Sequence, residues 1–125
     1  MAENLVLSPL SKTWILDLDG TLVKHNGYKT EAGDELLPGT KDFLKKIPET
    51  DMIIIVTGRS SEATEETELF LAENNIRYDR IIYDTPYGER ILINDRKPSG
   101  LQTAYAVNLN RDEGPCIDFE IDLTK

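Results

Sequence analysis

The sequence predicts an α/β sandwich on a mostly parallel sheet, folded as one domain over residues 1–125. Three observations carry that expectation. Short apolar, β-branched runs alternate with stretches of helical periodicity, which is the pattern of β-α-β units. The length, 125 residues, suits one hydrophobic core. No repeat, low-complexity tract or linker divides the chain.

Each element follows from local pattern. Thr13 to Leu18 (TWILDL) reads as a buried strand. Lys24 to Leu37 is polar, carries Gly27 and Gly33, and reads as a loop or flap. Thr40, after Pro38-Gly39, is the expected N-cap of a helix whose inner face holds Phe43, Leu44 and Ile47, and Pro48 ends it. Asp51 to Val56 (DMIIIV) is the clearest buried strand. Ser61 to Asn75 reads as a helix with Ala63, Thr67, Phe70 and Leu71 inward and with Glu62, Glu65 and Glu66 at the positive end of its dipole. Arg80 to Tyr83, Ile91 to Ile93 and Ala104 to Leu109 are expected as further strands. Ile117 to Leu123 alternates apolar and acidic residues, as an edge strand with one wet face does.

Composition narrows the partners. The hydrophobic fraction is 39%, the charged fraction 30%, the net charge −9 and the pI about 4.6. An acidic field repels nucleic-acid phosphates and anionic lipid, so neither is expected as a partner. The tyrosines at 78, 83, 87 and 105 lack the interleaved basic patch of a stacking platform. A phosphorylated metabolite is repelled too, unless a cation and local basic groups reverse the sign at its site. The single cysteine, Cys116, allows no intrachain disulfide, which is consistent with a reducing compartment; it reads as a small buried residue. The start, MAENLVLSPLSK, has neither the basic residues nor the long apolar stretch of a signal peptide. Met52 to Val56 is too short to span a bilayer. The expected location is cytoplasmic.

In parallel sheets, ligands collect at the carboxyl ends of the strands. Asp17 and Asp19, Thr57, and Asn94-Asp95 follow three apolar runs and are the residues to weigh. Asp17 and Asp19 stand two apart, so in extended backbone they project to one side. Close carboxylates repel; a shared cation or a raised pKa on one of them relieves this. The plain alternative is a strand leaving the core through a polar Asp-Gly turn.

The full run Trp14-Ile15-Leu16-Asp17-Leu18-Asp19-Gly20-Thr21-Leu22-Val23 resembles the first motif of the haloacid dehalogenase-like (HAD) superfamily, an apolar strand followed by Asp-x-Asp-Gly-Thr. Ile53 to Val56 with Thr57-Gly58-Arg59 is similar to its second motif, and Ile91-Leu92-Ile93-Asn94-Asp95 to its fourth. The resemblance covers roughly Thr13 through Leu109. It implies a three-layer sandwich with a doubly wound, Rossmann-like sheet of the HAD type. It also implies a Mg2+-dependent phosphomonoester hydrolase. Asp17 would be the nucleophile that forms an aspartyl-phosphate. Asp19 would be the acid and base, and its carbonyl a metal ligand. Thr57 and Gly58 would bind phosphate, and Asp95 would complete the Mg2+ site. Ser99 stands where many relatives carry another acid.

The departure lies in the third motif. The family supplies a Lys, less often an Arg, to neutralise the transferring phosphoryl, and Thr85 stands where short relatives carry it. Lys97, near Asp95, is the first candidate to replace it, with Arg90 and Arg96 as the others. Arg90 begins a strand whose far end carries the site. Arg59 and His25 either reach substrate or are solvated, and the solvated reading is preferred for both; Trp14 reads as core. Neither intermotif segment has room for a cap domain, so the site is expected to be open. It would borrow a lid from a neighbouring subunit, take a bulky substrate, or accept several. Short capless relatives point to a sugar phosphate or similar metabolite. The alternatives are a catalytically impaired binding domain of the same fold, which the missing Lys motivates, and a phosphotransferase.

Overall fold

Parallel pairing of the two most apolar runs sets the architecture. The computed structural model describes residues 3–125. Its strands are β1 (Glu3–Leu7), β2 (Thr13–Asp17), β3 (Met52–Val56), β4 (Arg80–Ile82) and β5 (Ile117–Ile121), with helices α1 (Thr40–Lys46) and α2 (Thr64–Glu73). The order β2-β3-β4 forms one parallel sheet and β1-β5 a second. Register aligns Thr13 with Met52 and Asp17 with Val56, so the first motif and Thr57 reach the same end of the sheet.

Both helices pack on one face of β2-β3-β4. Right-handed crossovers that keep stepping in one direction, β2 to β3 to β4, put every connecting helix on the same side. That face joins Leu16, Ile53 and Ile55 to Phe43, Leu44 and Leu71 in the core. The opposite face carries Ile15, Ile54, Val56 and Ile82, with Ile15 52% and Ile82 50% exposed. A doubly wound sheet needs strands on the far side of β2 to bring helices to that face. Ile91 to Ile93 and Ala104 to Leu109, expected as those strands, are irregular here. Arg90, at the head of the first of these runs, is held at Asp17 instead. Ile91 and Ile93 are left 81% and 90% exposed. The chain is thus an α/β fold with parallel strands in two small sheets.

Other expectations hold with adjusted ends. The helix predicted over Ser61 to Asn75 begins as a 3-10 turn, Ser61–Ala63, whose N-cap Ser60 accepts from the Glu62 amide, and its inner residues are those expected. Thr40 is the first helical residue rather than the cap. Gly39 (φ 83°) turns the chain, and the buried Thr40 hydroxyl donates to the Leu22 carbonyl at 2.8 Å, tying α1 to the end of the first motif. One strand was not expected: Glu3–Leu7 pairs in parallel with β5. Trp14 joins the two sheets, its ring 4.9 Å from Phe119 and 5.8 Å from Phe43, while its indole N–H donates to Asp51. Cys116 is exposed, not buried. Among the described residues, no helix is long and apolar enough to cross a membrane.

The segment after residue 109 folds back over the first motif. The Asp112 amide donates to the Gly20 carbonyl, and the Asp112 carboxylate accepts from the His25 amide at 2.8 Å. Gly114 (φ 91°) closes this return; a Cβ there would lie 2.0 Å from the Pro38 carbonyl oxygen. The left-handed backbone alone costs a non-glycine residue about 1–3 kcal/mol, and the backbone overlap adds to it. Gly114→Ala is therefore expected to lower the denaturant midpoint by more than that strain alone. An unchanged midpoint would show that this return does not anchor the fold.

Candidate functional site

The site lies at the carboxyl end of β2 and β3. Asp17 closes β2, and the chain then turns sharply: the Thr21, Leu22 and Val23 amides all donate to the Leu18 carbonyl. This turn places the Thr21 hydroxyl against Asp17 Oδ2 at 3.0 Å. The other oxygen, Oδ1, accepts from Arg90 Nη1 at 2.7 Å. The side chains of Asp17 and Arg90 remain 38% and 43% exposed. Asp17 is thus a solvent-reachable carboxylate with one cation and one hydroxyl directed onto it.

Asp19 has a different environment. Its carboxylate accepts from the Thr57 hydroxyl at 3.3 Å and from Arg59 Nε and Nη2 at 2.9–3.3 Å. Arg59 was expected at the surface; its side chain is instead 1% exposed. It spends all five N–H groups inside the protein, the full donor capacity of a guanidinium. Nε and Nη2 meet Asp19, Nη2 and Nη1 meet Asp34 in the flap, and Nη1 meets the Thr67 hydroxyl on α2. The Tyr28 ring covers the guanidinium at 4.0 Å. Burial pushes the Arg59 pKa down, but hydrogen bonds and attraction from Asp19 and Asp34 outweigh it, and the net shift is upward. Removing one partner of a buried pair typically costs about 3–5 kcal/mol, so Arg59 also holds the fold.

Thr57 is buried, donates to Asp19 and accepts from the Arg59 amide. Its backbone carbonyl receives the Thr85 amide at 3.1 Å, which brings Thr85 to the site wall. There the Thr85 hydroxyl accepts from Arg90 Nη2 at 3.3 Å. Arg90 therefore lies beside Thr85, the position where the resemblance leads one to expect a Lys. Gly58 lies under Tyr87, since a Cβ would fall 2.7 Å from its ring.

The remaining expected site residues are not gathered. Lys97 is exposed and its backbone closes a turn with Gly100 and Leu101; Arg96 is also exposed. Asp95 is exposed, and its backbone carbonyl accepts from the Thr103 hydroxyl. Asp17 and Asp19 offer the hard oxygen donors that Mg2+ takes. Among the described residues, however, no three His, Cys, Asp or Glu side chains come together as a metal-holding group, so Asp95 does not join them.

At the strand ends Asp17 pairs with Arg90 and Asp19 with Arg59, and Asp34 in the flap meets the far side of Arg59. Reading the sequence alone passed over Asp34 and Tyr28 and placed Arg59 at the surface. The available signal was position: an arginine two residues past a strand-end Thr emerges beside the neighbouring strand end. Comparison with family models, curated proteins and solved structures finds no match to this chain.

Proposed function

We propose that this chain is a phosphomonoester hydrolase of the HAD-like kind, acting through an aspartyl-phosphate on a sugar phosphate or similar metabolite. The observation that supports it best is Asp17 itself. It is a half-exposed carboxylate at a sheet's carboxyl end, paired with Arg90 and aligned with Val56, the residue before the Thr57 that donates to Asp19. Asp17 attacks phosphorus as the ester P–O bond breaks, and Asp19 gives the leaving oxygen its proton. Water then attacks phosphorus, Asp19 takes the proton, and the bond to Asp17 breaks to release inorganic phosphate. Arg90, rather than Lys97, neutralises the equatorial oxygens. Arg59 has no donor left for substrate.

With Arg90 at Asp17, the Asp17 carboxylate and the Asp19 carbonyl would hold Mg2+, which would supply further neutralisation of phosphoryl charge. Bringing Asp95 there requires residues 91–95 to run along the free edge of β2, as a HAD-type sheet does. That second arrangement would cover Ile91, Leu92 and Ile93, which are exposed here. It excludes the first, because five extended residues span about 16 Å and would carry Arg90 away from Asp17.

Phosphate release from sugar phosphates, nucleotides and p-nitrophenyl phosphate, with Mg2+ or chelator, tests the reading. Cation-dependent release is expected. Mg2+-dependent ligand binding without turnover would favour the binding-domain alternative, and faster donor loss with a sugar acceptor would favour a phosphotransferase.

A further inference from the structure

The flap between the first motif and α1 is bolted to the catalytic machinery through one side chain. Residues 24–37 leave and return as neighbours: the Lys24 amide donates to the Glu35 carbonyl, the Leu37 amide to the Leu22 carbonyl, and Val23 bridges Leu36. The tip is a short turn around Gly27–Lys29 and carries no residue of the buried hydrophobic core cluster. Besides the His25 amide, which reaches Asp112, the flap turns inward the side chains of Asp34, 6% exposed, and Tyr28. Both end on Arg59. The same guanidinium grips Asp19 through Nε and Nη2.

We infer that Arg59 is a positioning residue that fixes the flap as a built-in wall of the site and aims the Asp19 carboxylate. This deepens the phosphatase reading and rests on it for the role of Asp19, but not for the tie between flap and sheet. A planar fork that meets two carboxylates on separate edges locks their relative orientation, which a lysine ammonium cannot do. Residues 24–37 therefore act as a short internal substitute for a cap.

Asp34→Asn tests the tie. It keeps the shape of the side chain, leaves Asp19 in place, and removes one acceptor from the fork. Hydrogen exchange of amides 24–37 is expected to quicken at least 10-fold more than exchange in β2, β3 and α2, which shifts only with the global loss of stability that breaking a buried pair brings. With p-nitrophenyl phosphate and Mg2+, KM should rise several-fold while kcat stays within about 3-fold, since Asp34 touches no reacting atom. Tyr28→Leu, which spares both ion pairs, should show a weaker version of the same pattern. Arg59→Lys should loosen the flap and also lower kcat at least 10-fold, because Asp19 loses its fork. Unchanged exchange at 24–37 in Asp34→Asn would overturn the inference. Equal acceleration across the sheet would overturn it too, because the cluster would then support the core and not the flap. Should the wild type show no turnover, the phosphatase reading falls alone and the exchange data still decide the tie.

Discussion

Asp17→Asn is expected to abolish phosphate release, by at least about 10,000-fold, a loss typical of removing a nucleophile. The amide keeps the volume and can still accept from Thr21, but it cannot form an acyl-phosphate. The fold should be indifferent. Asp17 and Arg90 are both more than a third exposed, and ion pairs of that kind contribute about 0–1 kcal/mol. A thermal midpoint within a few degrees of wild type, together with lost turnover, is the expected pair of results. Retained cation-dependent turnover in this variant would remove Asp17 from the mechanism.

The second large effect concerns Arg90. Arg90→Ala is expected to lower kcat by about 100- to 1,000-fold, the usual loss when one group stabilising transition-state charge is removed. Arg90→Lys should recover part of it, because an ammonium restores the charge but not the two-pronged geometry between Asp17 and Thr85. Thr85→Lys, placed on the wall beside Thr57, should rescue the alanine variant. Steady-state kinetics across these variants at saturating Mg2+ check the prediction. Unchanged or higher kcat in Arg90→Ala, with tighter Mg2+ dependence, would contradict it. That result would place Asp95 beside Asp17 in the working enzyme, with residues 91–95 paired along β2.

Much of the frame was legible in the residues. TWILD and MIIIV are strongly β-branched runs that pair in register, and their ends bring Asp17, Asp19 and Thr57 together. Helix α2 was legible because its inner positions recur at helical spacing. The strands expected at 91–93 and 104–109 were not, because a short apolar run says nothing about which edge is free to receive it or what competes for its flanks. Arg90 is such a competitor: its attraction to Asp17 depends on the tertiary path of residues 84–90. Arg59 was misjudged for a related reason. A charged residue in a turn is usually solvated, and only the return of the flap brings Asp34 and Tyr28 over it. Glu3–Leu7 went unnoticed because its partner, Ile117–Ile121, lies at the far end of the chain.

The measurement closest to the central claim is chemical trapping of the phosphoryl-enzyme. Protein mixed with p-nitrophenyl phosphate and Mg2+ is quenched in acid and reduced with borohydride, which converts an aspartyl-phosphate to homoserine. Peptide mass spectrometry then finds the modified position. Homoserine at residue 17, absent without substrate, is the predicted result. Turnover with no modification at Asp17 under conditions of steady phosphate release would contradict the covalent mechanism and the role given to this carboxylate.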